Sequence, residues 1–280
     1  MPIAPSPEEE AHAGSSLRFE GGEHAGALPV YRFDQWDGEP SLVHAVLTRL
    51  GGVSLPPYAT LNLSQVVGDD PAAVEANYER VCHALGIPRS HMVTCHQTHS
   101  ADVFVATAAD GGRLVGRGDA LITNQPGVYL SMRFADCTPI LLHDPIRRAV
   151  GIAHAGWRGT LKNVAGAVAR AMVERLGCLP GDITAVIGPA IGPCCYQVGG
   201  EVIQAVEATC ADAAGLLQRR AGGRAYFDLW EANRRRLVEA GMGRVAVAGL
   251  CTACRTDHFF SHRAEHGQTG RFGAVIGYRE

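Results

Sequence analysis

The sequence predicts a mixed α+β fold in which strands and helices pack in layers. Short apolar runs typical of β-strands recur from residue 42 onward, and capped helical segments lie between them. Residues 28–280 contain no repeat of about 20–50 residues and no low-complexity linker. We therefore expect a single compact domain over 28–280.

The first 27 residues are expected to form a flexible leader. Pro, Glu, Ser and Gly are frequent there, and the apolar residues show no periodicity. The segment also lacks the basic start and the apolar centre of a secretory signal. It is therefore not interpreted as a targeting segment.

Eight segments are predicted as strands because they are apolar or alternate between apolar and polar residues. In chain order they are 42–49, 102–107, 120–123, 128–133, 139–143, 149–154, 183–188 and 245–251. Several of these runs are apolar throughout, which favours strands that are covered in a layered fold.

The first two predicted helices have recognisable ends. Asp70 can cap one helix, which has Pro71 at its first position and ends at Gly86. The next covers 160–176, where the apolar side chains share one face and Gly177 follows the end.

Two more helices are predicted further along the chain. One follows Gly200. The other begins at Asp228, with Glu231 three residues later as a variant of the capping box, and ends near Gly241.

Composition excludes several classes of protein. Hydrophobic residues make up 46% of the 280 residues, which is too many for a chain that is disordered throughout. No apolar stretch approaches the ~18–20 residues of a membrane helix. The net charge of −3 and the lack of a basic block argue against a nucleic acid polymer as partner. We expect a monomer or a weak homodimer that binds no membrane.

The chain contains nine cysteines and twelve histidines. An odd number of cysteines without a secretory signal argues against a disulfide framework and predicts a reducing, cytoplasmic location. In that environment cysteines act as buried thiols, metal ligands or nucleophiles.

A strand followed by a glycine-rich turn gives the first candidate site. The predicted strand ends at His154, and the turn at 155–159 then leads into a helix. The carboxyl end of a strand delivers side chains to a crevice, and free N–H groups at the helix start attract anions, to which Arg158 adds charge. A tight turn with Trp157 in the core accounts for the same pattern equally well.

Cys137 and His99 are the other candidates. Taken singly, Cys137 is more typical of a buried thiol, and His99 of a structural histidine. With His154 they form a set of two imidazoles and one thiolate, each at the end of a predicted strand, which suits Zn²⁺ or copper. Three protein ligands leave a fourth position for water or substrate, as in catalytic zinc sites. Spacing alone leaves open whether the three meet.

The remaining cysteine pairs are interpreted as packing residues. Cys251-x-x-Cys254 is half of a zinc site or a redox pair, but the sequence has no second C-x-x-C, so buried thiols are favoured. Cys194 and Cys195 lie in a turn rich in Gly and Pro, and adjacent cysteines rarely form a disulfide.

Eight motifs, in order along residues 42–278, resemble those of the YfiH family, also known as the laccase-domain or polyphenol-oxidase-like family. They are T-R-x-G-G-V-S-x-x-P-Y-x-x-L-N-L (48–63), G-D-D-P (68–71), Q-x-H-S (97–100), D-A-L-I-T (119–123), A-D-C-x-P-I-L-L-x-D (135–144), A-H-A-G-W-R-G (153–159), I-G-P-x-I-G-x-C-C-Y-x-V-G (187–199) and F-F-S-H-R…G-x-T-G-R (259–271). His262 and Ala264 stand where the family more often has Tyr and Arg, and Cys254 is an addition.

The resemblance implies both a fold and an activity. The fold is an α/β/β/α sandwich of mixed sheets, similar to the catalytic domain of the cytotoxic necrotizing factors. The activity is phosphorolysis of adenosine, inosine and methylthioadenosine, with deamination of adenosine at the same site. Purine nucleoside and phosphate are the implied substrates, and His99, Cys137 and His154 the implied catalytic and metal-binding residues for Zn²⁺ or Cu²⁺.

Chemical reasoning adds three residues to that site. Arg49 and Arg158 are candidates for binding phosphate through their guanidinium groups, although Arg49 could equally hold its own glycine-rich loop. Asp136, beside Cys137, could orient a ligand imidazole, act as a general base, or only cap a turn. Zinc can activate water for attack on C6 of adenine.

Two other functions remain open at this stage. One is a Cys–His hydrolase or amidase acting on peptidoglycan precursors, with Cys137 as nucleophile and His99 or His154 as base. The other is a copper-dependent polyphenol oxidase. It is less favoured because its trinuclear copper cluster needs several H-x-H pairs, whereas the closest pair here is His96-x-x-His99.

Overall fold

The computed structural model describes residues 15–20 and 27–280. The strands are β1 (Ser15–Glu20), β2 (Leu28–Phe33), β3 (Leu42–Leu47), β4 (Met92–His96), β5 (Val103–Val105), β6 (Leu114–Arg117), β7 (Ala120–Thr123), β8 (Tyr129–Phe134), β9 (Thr138–Asp144), β10 (Ala149–Ala155), β11 (Thr184–Ile187), β12 (Gln197–Val198), β13 (Leu217–Arg219), β14 (Ala225–Phe227), β15 (Arg244–Val247) and β16 (Phe272–Tyr278). The helices are α1 (Pro71–Leu85), α2 (Trp157–Leu161), α3 (Val164–Leu176), α4 (Gly200–Thr209) and α5 (Leu229–Glu239).

Two large sheets carry the fold. The first has the order β1-β2-β3-β16-β8-β4-β6, and the second has the order β15-β11-β9-β10-β7-β5. Most neighbours are antiparallel, but β4 runs parallel to β8 and β6, β11 runs parallel to β15, and β5 runs parallel to β7. Both sheets are therefore mixed. A third, smaller sheet has the order β12-β14-β13.

The two sheets pack face to face between layers of helices. Side chains such as Phe134 of the first sheet and Leu141 of the second form a buried core between them. On the outer face of the first sheet α1 contributes Val81, and on that of the second sheet α3 and α5 contribute Met172 and Leu237. Burial of these apolar surfaces stabilises each layer. The predicted α+β class and α/β/β/α sandwich are confirmed, while the likeness to the cytotoxic necrotizing factors stays a prediction.

All eight predicted strands are present, with ends that shift by a few residues. The predicted cap of α1 is also confirmed, because the Asp70 side chain accepts from the Ala72 N–H and Gly86 ends the helix at φ 62°. The predicted helix at 160–176 differs: it is split into α2 and α3. Asn163 adopts a left-handed conformation at the break and caps α3 by accepting from the Gly166 N–H.

The N-terminal segment differs in part from the predicted leader. The backbone of residues 15–20 pairs with β2 and adds an edge strand to the first sheet. Residues 1–14 and 21–26 lie outside the described residues, so the leader stays a prediction there. Among the residues that are described, no helix has both the length and the hydrophobicity needed to cross a membrane.

Candidate metal centre and its cleft

His99, Cys137 and His154 meet at one end of the sandwich. Their ligand atoms all lie within 4.8 Å of one another, and Cys137 Sγ is 3.9 Å from His99 Nε2. Strands β9 and β10 pair antiparallel with His154 opposite Pro139, which places Cys137, just before β9, beside the end of β10. His99 follows β4 by three residues. The convergence that sequence spacing left open is therefore present.

Asp119 holds two of these ligands in place. Its buried carboxylate accepts a hydrogen bond from His154 Nδ1 through Oδ1 at 2.8 Å. Its Oδ2 accepts from the backbone N–H groups of Ser100 at 2.6 Å and Thr98 at 3.0 Å, on both sides of His99. One carboxylate thus leaves His154 Nε2 free and fixes the loop that carries His99.

The charges of Cys137 and His154 stabilise each other. Burial raises the pKa of the Cys137 thiol, but attraction and hydrogen bonding from His154 and His99 outweigh it and lower the pKa from 9.0 to about 6. Burial lowers the pKa of His154, but the charge of Cys137 and the bond to Asp119 outweigh it and raise the pKa from 6.5 to about 9. Cys137 is therefore favoured as a thiolate, the form that binds metals.

Backbone conformation around the cluster is unusual. His99 and Asp136 have φ values of 58° and 81°, a left-handed region that costs a non-glycine residue about 1–2 kcal/mol. Gly156 is also required here, because a Cβ atom on it would lie 2.8 Å from both Cys137 Sγ and His99 Cδ2. Such strained positions cluster at functional sites.

The donor set fits a metal ion. Two imidazoles and a thiolate suit zinc or copper, and a carboxylate behind a ligand imidazole is the usual support of a zinc-bound histidine. Three protein donors leave a position open for a substrate or water.

The cluster lines a cleft of about 570 Å³, within the usual range for small-molecule sites. Three arginines line it, Arg133, Arg263 and Arg271, and so do two aromatic residues, Trp157 and Tyr196. The cleft can therefore take a ligand with an anionic part and a flat apolar part.

The two arginines proposed for phosphate do not line this cleft. The Arg49 guanidinium bonds to Glu265 at 2.9 Å and to the carbonyl oxygens of Ala59 and Thr256, so its contacts match the loop-holding alternative. Arg158 lies over the ring of Trp157 with its guanidinium 3.0 Å from Glu201. It is half exposed, at 52%. The sequence did not distinguish these arginines from those that line the cleft.

Asp136 lines the cleft, but it does not orient a ligand imidazole. Its two carboxylate oxygens accept from the Thr252 hydroxyl and from the Arg263 N–H, each at 2.7 Å, and Asp119 holds His154 instead. The sequence motif at 119–123 contained Asp119, but only the structure shows its contact with His154.

The interpretation of the remaining cysteines as buried thiols is wrong for two of them. Cys194 and Cys254 are exposed, and the two cysteine pairs come together in a second cluster. The loops that bring them together are distant in sequence, so no local spacing indicated it.

Comparison with known proteins identifies the family. The family model described as multi-copper polyphenol oxidoreductase laccase matches residues 43–279. The chain belongs to that family. The resemblance to YfiH proteins is confirmed by relatives and by solved structures.

Two relatives illustrate the similarity. The purine nucleoside phosphorylase YlmD of Geobacillus stearothermophilus is 40% identical over 256 residues, which cover 87% of this chain and 93% of the relative. The purine nucleoside phosphorylase of Deinococcus radiodurans is 42% identical over 238 residues, which cover 84% and 88%.

Solved structures agree with the fold. The crystal structure of YlmD from Geobacillus stearothermophilus superposes with a TM-score of 0.86 at 37% identity, covering 95% of this chain and all of that one (100%). The Bacillus licheniformis YfiH structure gives 0.85 at 35% identity, with coverage of 89% and 96%.

Proposed function

We propose that this protein is a metal-dependent purine nucleoside phosphorylase. Its substrates would be adenosine, inosine and methylthioadenosine, and the same site would deaminate adenosine. The convergence of His99, Cys137 and His154 in an arginine-lined cleft carries the proposal. The names of the relatives support the substrate class. A cytoplasmic location and a monomeric or weakly dimeric state remain predictions.

The three ligands would hold zinc, with copper as the alternative for the same donors. When bound, the metal supplies Lewis-acid chemistry that polarises a substrate or activates water. His154 presents Nε2 because Asp119 engages Nδ1, and Cys137 presents a thiolate.

Phosphorolysis needs a bound anion next to the glycosidic bond. Arg133, Arg263 and Arg271 would bind this anion. Each guanidinium is held in place by a hydrogen bond to a backbone carbonyl oxygen, that of Cys95, Gln197 and Thr269, respectively. Each guanidinium retains other N–H groups for phosphate oxygens. A phosphate oxygen would then bond to C1′ of ribose as the C1′–N9 bond breaks and its electron pair leaves with the purine.

Aromatic residues would position the base. Trp157 and Tyr196 line the cleft and offer flat surfaces on which a purine can stack. We propose Asp136 as a positioning residue, because both of its oxygens already hold the loops at Thr252 and Arg263.

The test is incubation of zinc-loaded and copper-loaded protein with adenosine, with and without phosphate, followed by chromatography of the bases. We expect adenine only when phosphate is present, and inosine in both samples. His154→Ala should lose both products, whereas His83→Ala, an exposed residue of α1, should keep both. Absence of adenine and inosine from every metal-loaded sample would refute the proposal.

A second candidate is a Cys–His hydrolase, favoured by the lowered pKa of Cys137 next to His154. With Cys137 as nucleophile, a thiolate-dependent amidase activity would survive removal of the metal by a chelator. With Cys137 as ligand, Cys137→Ser loses metal and phosphorolysis together. Measuring both the metal content and the activity of Cys137→Ser therefore distinguishes the hydrolase from the phosphorylase.

A copper-dependent polyphenol oxidase has less support. Within the residues that the structure describes, two groups of three or more side chains could hold a metal, and the one with histidines contains two. A trinuclear copper site needs several histidine pairs. Oxygen uptake with a phenol by the copper-loaded sample tests it directly.

A further inference from the structure

Four cysteines that do not line the cleft form a second cluster. Cys194 and Cys195 lie in the turn before β12, and Cys251 and Cys254 lie in the loop after β15. Their Sγ atoms all lie within 4.8 Å of one another. Cys254 Sγ is 3.6 Å from Cys194 Sγ and 3.4 Å from Cys195 Sγ.

We propose that Cys194, Cys195, Cys251 and Cys254 bind a structural zinc ion through four thiolates. A tetrahedron with Zn–S bonds of about 2.3 Å has sulfur atoms ~3.8 Å apart, close to the spacing of this cluster. Four protein ligands leave no open position, which is typical of structural zinc rather than of catalytic zinc. The site is separate from the cluster in the cleft and does not depend on the proposed activity.

Hydrogen bonds and charge around the cluster fit this assignment. The Gly192 N–H donates to Cys251 Sγ at 3.2 Å, an interaction that stabilises a thiolate. Four thiolates within 4.8 Å of one another would repel, and a divalent cation between them offsets this repulsion and allows all four cysteines to ionise.

The zinc would fasten the two loops that wall the cleft. Ala190 and Cys251 form a parallel bridge, and the Thr252 N–H donates to the Ala190 carbonyl at 3.2 Å. One loop then brings Tyr196 to the cleft, and the other brings Arg263. A zinc ion at this point is therefore expected to stabilise the cleft without contacting the substrate.

Metal content of variants tests the proposal. Proteins are purified with reductant, supplied with zinc, exchanged into zinc-free buffer and measured by mass spectrometry of the metal. We expect two zinc ions in the natural chain and one in Cys137→Ser/His154→Ala. Cys254→Ser should lose one, and Cys210→Ser, which alters a half-buried cysteine outside both clusters, should lose none.

Thiol reactivity of the natural chain provides a test that needs no variant. Cys194 and Cys254 are exposed, so free thiols at these positions would react readily with a thiol reagent. If zinc is bound to them, they should react only after a strong chelator removes it. Cobalt in place of zinc in Cys137→Ser/His154→Ala should give the strong thiolate-to-metal absorption of four sulfur ligands.

Two outcomes would overturn the proposal. One is a Cys137→Ser/His154→Ala variant that holds no zinc while its exposed thiols react equally with and without chelator. The other is a disulfide between Cys254 and Cys194 or Cys195 in protein kept reduced and supplied with zinc, shown by peptide mass mapping. If instead the natural chain binds zinc at the four cysteines but not in the cleft, and shows no phosphorolysis, the proposed function fails while this site stands.

Discussion

Asp119 is the residue on which the geometry of the cleft metal site depends. Asp119→Asn retains the side-chain shape, but its amide is neutral and has a single oxygen. It therefore cannot accept hydrogen bonds from His154 Nδ1 on one side and from the Thr98 and Ser100 N–H groups on the other. We expect zinc affinity at the cleft to fall about 10–100-fold, as for other carboxylates behind ligand histidines. Competition with a chelating indicator measures this.

The matched control is Asp144→Asn. Asp144 is equally buried and accepts from the Ile146 and Arg147 N–H groups at the end of β9, away from the cleft. It should leave zinc affinity unchanged. Equal affinities in the two variants would show that Asp119 has only a packing role.

Gly156 sets the space that the ligands occupy. The methyl group of Gly156→Ala would lie 2.8 Å from both Cys137 Sγ and His99 Cδ2, so one ligand must move. We expect this variant to lose metal from the cleft and to lose phosphorolysis while it remains folded. Gly200→Ala, where a Cβ atom meets nothing within 4 Å, is the control and should retain both. Full metal content in Gly156→Ala would contradict the ligand geometry.

At this scale the sequence predicts the ligands but not their supports. His99, Cys137 and His154 are recognisable because each stands at a strand end with a donor side chain. The supporting role of Asp119 is not predictable in this way, because Asp119 and His154 become neighbours only when β7 pairs with β10. Cys194 and Cys251 meet across loops in the same way, 57 positions apart in the chain.

Among the elements, the loop between Cys254 and β16 depends on the Arg49–Glu265 ion pair. Arg49 is 15% exposed and also bonds to the Ala59 and Thr256 carbonyls, while Glu265 accepts from the Ser261 N–H. We expect Arg49→Lys to lower the free energy of unfolding by about 1–3 kcal/mol, because charged hydrogen bonds are lost. Urea unfolding measures the change.

Phosphate kinetics distinguish this role from phosphate binding. Arg49→Lys should leave the KM for phosphate unchanged, and Arg158→Lys, whose pair with Glu201 is exposed, should change stability by less than about 1 kcal/mol. If Arg49→Lys instead shows a several-fold higher KM for phosphate at unchanged stability, Arg49 binds phosphate rather than holding the loop.

The elements themselves were predicted well where local signals are strong. Strand patterns and the Asp70 and Asp228 caps are local, and the structure contains them. The break at Asn163 was missed because the apolar face of 160–176 continues across it. Strand β1 was missed because pairing with β2 defines it rather than composition.

For the whole molecule, two buried histidines between the sheets link stability to pH. His44 of β3 and His143 of β9 both contact Trp36, and His44 Nε2 accepts from the Phe33 N–H at 3.0 Å. Burial, with a smaller repulsion from Arg32, lowers the pKa of His44 to about 3. Burial lowers the pKa of His143 to about 4.

The unfolded chain therefore takes up protons below about pH 6.5 that the folded protein does not bind. This contribution to stability is complete above pH 6.5 and is lost as pH falls towards 3–4. We expect the free energy of unfolding to drop on the order of a few kcal/mol between pH 6.5 and 4. His44→Gln should have a shallower dependence, and the exposed His83→Gln should match the natural chain. The same dependence of unfolding free energy on pH in the natural chain, His44→Gln and His83→Gln would contradict the assignment of this dependence to His44.

The most direct measurement is a zinc titration of chelator-treated protein, with phosphate-dependent release of adenine from adenosine as the readout. We expect no adenine before zinc is added, a rise as zinc fills the site of His99, Cys137 and His154, and no rise in Cys137→Ser. Adenine release at the full rate without metal, or none from protein whose cleft holds zinc, would contradict the account.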